Sequence, residues 1–431
     1  MITVREFARL TTGRCTTSLD VAQVPASAFA WLCELQSRIA PGGASLLELE
    51  GQTWLRLNSL VGVIETPCGT TLEILPKTYS DAAGIDASRA LLRKMVAALL
   101  DLPGKEAEAA ALERFDVPLT EWVMAQFVKR LYQLVQQGIR SDYVRVEDEL
   151  PFLRGQLNMT AQMRQPPTRA HLFHIRHDVF SPDQAANRLL RLALERVRKV
   201  TAHSETWRLA NELTHRLAEI PSSNDPSQDW RGWGAGRLMA RYQPIRPWCA
   251  LVLGEGMPLA LSGTTHGLSL LFPMEKLFEN YVARWLRMQI APECTLLTQA
   301  RSEWLAEHDG ETIFQLRPDV LVQRTRTQTT WVLDTKWKRL NGGDREKNYG
   351  IAQSDMYQML AYGHTYLKGE GSLMVVYPAW SGFTKALPHF RLPGQLRLDA
   401  VPFDLETGTL MTEQPLDFLR RREIESHQQP A

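Results

Sequence analysis

Two short apolar runs, Val320-Leu321-Val322 and Trp331-Val332-Leu333, constrain the fold of this chain more than any other feature. Runs of this length, bounded by polar residues, read as β-strands, and the polar segment Gln323 to Thr329 reads as the hairpin joining them. Arg317-Pro318-Asp319 opens the first strand, and the second continues through Asp334-Thr335-Lys336-Trp337. Side chains alternate along a strand, so Asp334 and Lys336 project from the same face. Asp319, fifteen residues before Asp334, meets them across the hairpin. Thr312 to Leu316 reads as a further strand just upstream.

The resulting pattern, P-D-x14-D-x-K, has a chemical rationale. Two converging carboxylates hold a hard divalent ion, Mg²⁺ or Mn²⁺, through oxygen. Such an ion lowers the pKa of a bound water and stabilises the charge of an in-line displacement at phosphorus. A lysine beside them positions the water and neutralises developing negative charge. D-x-K alone occurs by chance in many proteins, and a Pro-Asp pair often only opens a turn. On one hairpin the two together point to metal-dependent phosphodiester hydrolysis, with Asp319, Asp334 and Lys336 as the candidate catalytic set.

The flanks are consistent with that. Met274, Leu277, Phe278, Tyr281, Val282 and Trp285 make one apolar helical stripe with Glu279 at its margin. A glutamate there either reaches inward to a metal or sits in a solvated ion pair. After the D-x-K strand, Gln353 and Tyr357 fall one helical turn apart, either to hydrogen-bond a phosphate or the lysine or to cap and pack a helix. Leu373 to Tyr377 reads as a buried strand ended by Pro378. Helix, strand, strand, D-x-K strand, helix, strand is the order of a restriction-endonuclease-like α/β core.

The rest of the chain carries no second active site. Residues 1 to about 80 read as short β segments, among them Thr53 to Leu57, Leu60 to Ile64 and Thr71 to Leu75, with a turn at Pro67-Cys68-Gly69. Helical spacing begins near Ser88 and recurs from Trp122 to Gln137 and from Ser181 to about Ala202, where Ser181 is the expected cap. Ile220 to Asp229 reads as a polar loop, and the residues from Pro415 as a loose end. His171, His174 and His177 do not form a metal cluster, because alternation turns the middle one away. No G-x-x-x-x-G-K-[ST] run is present, so nucleotide hydrolysis has to come from another protein. The five cysteines are scattered and never C-x-x-C, which argues against disulfides and zinc. No secretory signal or apolar span is evident, so a cytoplasmic protein with no membrane association is expected. The net charge of +1 neither supports nor excludes a polyanionic partner, since a cleft can concentrate charge locally.

With these residues in view, the chain resembles the McrC family, the nuclease subunits of McrBC modification-dependent restriction systems. The likeness runs through Val61-Gly62-Val63-Ile64, Leu72 to Lys77, Gly138 to Tyr143, Leu153-Arg154-Gly155-Gln156-Leu157, His177-Asp178, Asp183 and Asn187-Arg188-Leu189-Leu190, and then the hairpin motifs. The resemblance implies that Asp319, Asp334 and Lys336 are catalytic, that Glu279 is the acid of the first core helix and a metal ligand with the two aspartates, and that Gln353 and Tyr357 form a RecB-like Q-x-x-x-Y element. It implies as partners a McrB-like AAA+ GTPase hexamer, stimulated by this chain, and double-stranded modified DNA. The expected fold is α/β and β multi-domain. A β-rich and helical docking region spans 1–150, a helical middle region 151–260, and a PD-(D/E)xK endonuclease domain 261–431. A stand-alone RecB-like nuclease and a non-enzymatic adaptor are the competing expectations.

Overall fold

The computed structural model describes residues 1–38, 46–51, 53–77, 84–101, 117–234, 236–254, 268–412 and 416–419. By contacts the chain divides into two compact units, Met1–Leu119 with Leu271–Ala431, and Thr120–Leu270. These differ from the three sequence segments for two physical reasons. Asp142–Leu150 pairs along its whole length with Phe173–Ser181, which draws it into the second unit. Strand Leu270–Pro273 joins the N-terminal sheet beside Leu60–Glu65, which ties the C-terminal part to residues 1–119.

In the first unit, one N-terminal sheet has the order Ile2–Arg5, Thr71–Leu75, Leu60–Glu65, Leu270–Pro273. A second has the order Val21–Gln23, Arg9–Thr11, Trp54–Leu57, Leu47–Glu50. The expected strands and the Gly69 turn are present, the latter with φ +78. The region also contains a helix, Ala26–Arg38, which a purely β reading missed.

The C-terminal part is built on a seven-stranded sheet. Its path runs Cys294–Thr298, Val320–Arg324, Thr330–Thr335, Glu370–Pro378, Gln395–Asp404, Phe390–Leu392, with Thr409–Leu410 paired to Gln395–Asp404. The first three strands pair antiparallel, and Thr330–Thr335, Glu370–Pro378 and Gln395–Asp404 run parallel. Helix Gln353–Tyr366 makes the crossover that a parallel pair requires. It buries Met359 and Tyr362 against Val332, Leu373, Val375 and Leu398. The opposite face takes helix Met274–Gln289, whose Phe278, Tyr281 and Trp285 rings all pack around Phe403. One expected strand is placed elsewhere: Glu311–Leu316 pairs with Glu303–His308 in a separate hairpin, and Cys294–Thr298 fills the position in the main sheet.

In the second unit, helices Leu119–Gln137 and Arg246–Leu253 meet through Trp122 and Trp248, edge to face at 5.1 Å. Helix Ala185–Val200 starts later than expected. Ser181 ends the preceding strand and accepts a hydrogen bond from Asp183 N rather than capping a helix. Asp183 instead pairs with Arg188, which also grips buried Asp229. Asn187 donates to the carbonyls of Arg140 and Pro182 and accepts from the Tyr242 hydroxyl, so the Asn187-Arg188 motif is a buried structural knot. The polar stretch after Ile220 is half helical, because Asp225 caps Pro226–Gly232 by accepting from Gln228 N. His174 lies 3.3 Å from Glu149 while His177 is buried, and no group of three metal-ligating side chains exists among the described residues. The cysteines are all free, and among the described residues no helix is long and apolar enough to cross a membrane. Apart from Leu416 to Leu419, the C-terminal end expected to be loose lies outside the described residues.

Candidate active site

The hairpin register pairs Val320 with Leu333, which sets Asp319 opposite Asp334 at the strand ends. Asp319 is fixed by the neighbouring strand: its Oδ2 accepts from Thr335 N at 2.8 Å and from Thr335 Oγ1 at 2.7 Å. Asp334 is 1% exposed, and its Oδ2 lies 2.6 Å from Lys336 Nζ. Burial, and then the negative charge of Asp319, hold the Asp334 carboxyl well above the usual carboxylate range, with Lys336 opposing them.

Glu279 reaches the same place from helix Met274–Gln289. It is paired with Lys276, one turn back, at 2.8 Å. Its other partner is Gln299, whose Nε2 donates to Glu279 Oε1 at 2.7 Å and to Asp319 Oδ1 at 3.3 Å. Burial and then Asp319 raise the Glu279 pKa. Gln299 was not visible from sequence patterns. Its backbone sits at φ +52, a left-handed conformation uncommon outside glycine, and its N–H donates to the Asp319 carbonyl at 3.0 Å. Those features hold the amide between two carboxylates that would otherwise repel.

Gln353 and Tyr357 are not brought to the lysine. They hydrogen-bond each other at 2.5 Å on the outer side of their helix, with Tyr357 63% exposed. A second pair at the same spacing faces inward. Lys336 Nζ donates to Gln358 Oε1 at 2.8 Å, Gln358 Nε2 donates to Tyr362 Oη at 2.8 Å, and Tyr362 donates to the Arg317 carbonyl at 3.0 Å. The available signal was the stripe Asp355, Met359, Tyr362, Gly363, which marks the buried face and carries Gln358 with it.

The donor set suits a hard dication. Asp319 raises the pKa of both Glu279 and Asp334, and among the described residues Lys276 pairs with Glu279 and Lys336 with Asp334. In the arrangement present, no three acidic or other ligating side chains among the described residues close around a common point. Gln299 stands between Glu279 and Asp319 and donates to both.

Residues 55–378 match the McrBC 5-methylcytosine restriction system component family. The chain belongs to that family. Its fold is similar to a chain in a refined half-complex from a tetradecameric assembly of Thermococcus gammatolerans McrB AAA+ hexamers with bound McrC, at TM-score 0.65 and 19% identity over 94% of each chain. A second similar structure is the cryo-EM McrBC complex of the same organism, at TM-score 0.51 and 20% identity, covering 66% of this chain and 87% of the other. No curated protein gives a significant match. Family membership makes the chain a restriction-system component, and the mixed α/β architecture is that of the McrBC structures.

Proposed function

We propose that this chain is the endonuclease subunit of a GTP-dependent restriction complex that cleaves methylated double-stranded DNA. Residues 261–431 act as a PD-(D/E)xK nuclease domain, and the preceding parts serve docking and activation of a McrB-type AAA+ GTPase hexamer in the cytoplasm. The observation that carries this reading is the convergence of Asp319, Asp334 and Lys336 across one antiparallel register, with Glu279 linked to them through Gln299.

Asp319, Asp334 and Glu279 would hold Mg²⁺ or Mn²⁺. Such an ion, when bound, supplies an activated water and offsets charge at the phosphate. Asp319 enters the reaction already oriented, since both Thr335 donors bind the same oxygen. Lys336 directs its ammonium toward the acidic cluster, held at that angle by Gln358 and, behind it, Tyr362. That ammonium would orient the attacking water and meet the negative charge that develops on the phosphate.

The test is cleavage of methylated and unmethylated plasmid by the purified chain with its AAA+ partner, GTP and Mg²⁺. Cutting should need the partner, GTP, methylation and a free divalent ion. Efficient cutting of unmethylated DNA by the chain alone would favour a stand-alone RecB-like nuclease, and robust cutting in excess chelator would refute the metal assignment.

A further inference from the structure

Glu6 follows the N-terminal strand Ile2–Arg5 and is 1% exposed. Its backbone N–H donates to the Leu75 carbonyl at 2.9 Å, which locks it into the N-terminal sheet. The carboxylate accepts Lys77 N at 2.9 Å and Ser59 Oγ at 3.4 Å. Its remaining donor is the indole Nε1 of Trp337, 331 residues away, at 3.0 and 3.1 Å from the two oxygens. A carboxylate taken out of water is costly unless it is well supplied with donors. Burial pushes this one up to about 7. The Lys77 and Ser59 donors do not account for the whole set, so burying this group calls for a reason beyond the N-terminal sheet.

Trp337 supplies one. It follows Lys336 directly, and alternation sends its ring to the sheet face opposite that of Lys336 and Asp334. There it packs on Phe278 at 5.4 Å, and Phe278 precedes Glu279. Trp337 is thus itself the neighbour of the candidate lysine, and its buried indole touches Phe278, the neighbour of the candidate glutamate. The main-chain N–H of Lys336 extends the sheet by donating to the Val376 carbonyl at 2.9 Å, and beyond it the chain turns, with Lys338 N donating to the Lys336 carbonyl at 3.0 Å. The lysine thus sits where sheet pairing ends, and the indole anchor is next to it.

We propose that Glu6 is a positioning residue for the nuclease site, fixing Lys336 and Glu279 through the Trp337 indole. This rests on the nuclease reading of that site. A displacement of about 1 Å in a reacting group costs on the order of 100-fold in rate. Losing a hydrogen bond to a charged group costs enough to permit such a shift.

The experiment uses the full chain with its AAA+ partner, GTP, Mg²⁺ and methylated plasmid, comparing Glu6→Ala, Glu6→Gln, Trp337→Phe and the Glu6→Ala/Trp337→Phe double variant. Glu6→Ala should lower kcat by about tenfold or more, with KM for DNA within about twofold. Glu6→Gln keeps an acceptor oxygen and should recover most of the rate. Trp337→Phe removes the N–H but keeps a ring against Phe278, and should resemble Glu6→Ala. The double variant should be no slower than the slower single one, because both break the same link. Multiplying losses, or full kcat in folded Glu6→Ala, would overturn the proposal while leaving the nuclease reading intact. A wild-type complex that leaves methylated DNA uncut would overturn both. Where Glu6→Ala does not fold, Trp337→Phe decides, and an unchanged kcat counts against the role.

Discussion

Strand Thr330–Thr335 of the main sheet and the ribbon Asp142–Leu150 with Phe173–Ser181 both carry carboxylates on β-strands, and they treat them in opposite ways. On the ribbon, Glu147 meets Arg176 at 2.6 Å and Asp142 meets Arg140 at 2.6 Å, all in contact with solvent. The Arg140 hydrogen bond holds Asp142 below the usual carboxylate range. In the main sheet, Asp334 is buried beside another carboxylate and is pushed upward instead. Exposed pairs of the first kind contribute little, because water already solvates both partners. A buried, crowded acid is retained against its own cost, which is the pattern expected where chemistry needs the charge.

The largest effect should come from breaking the buried set. Asp319→Ala and Asp334→Ala are expected to lower DNA cleavage by about 10³-fold or more while the chain stays folded, checked by plasmid nicking alongside circular dichroism. By contrast, Glu147→Ala on the ribbon should change unfolding free energy by less than about 1 kcal/mol in a urea titration. Near-normal cleavage by a folded aspartate variant would remove that residue from the site.

A smaller effect should separate two faces of one helix. Gln358→Ala is expected to reduce kcat by about 10- to 100-fold, since Lys336 loses the amide acceptor that holds it beside Asp334. Gln353→Ala should stay within about twofold, because its partner is the exposed Tyr357. Single-turnover rates of the two variants with the same partner preparation would show it, and equal losses would mean that the outer pair meets DNA or the lysine in the working complex.

The smallest effect concerns pH. The folded-state pKa of Glu6 rises from the ordinary 4.5 to about 7. The folded chain therefore binds this proton more tightly than the unfolded one, and its stability falls as pH rises through that window. Glu6→Gln lacks the titration, so its stability relative to wild type should improve steadily between about pH 4.5 and 7 and then level off. Parallel thermal melts across that range would test it. A difference independent of pH would mean that Glu6 titrates normally in the folded chain.

What was legible in the sequence was local or periodic. Strand alternation put Asp334 and Lys336 together, and hairpin length brought Asp319 opposite. The stripe on Met274–Gln289 placed Glu279 at a helix margin. Which of Gln353 and Gln358 lies at the lysine depends on the buried face of the helix, and the i, i+4 spacing of each pair with Tyr357 or Tyr362 is the same. Gln299 acts through a left-handed backbone, and Glu6 through a contact spanning 331 residues. Neither leaves a periodic trace. The separate hairpin at Glu303–Leu316 misled because a strand announces itself without naming the sheet it joins.

Lys336 is expected to serve DNA cleavage and no other step. Lys336→Ala, assembled with the AAA+ partner on methylated plasmid with GTP and Mg²⁺, allows GTP hydrolysis and strand cleavage to be followed in one reaction. The expected result is GTP turnover within about twofold of wild type with cleavage lowered by about 100-fold or more. Cleavage at the wild-type rate, or GTP turnover lost together with cleavage in a folded variant, would contradict it.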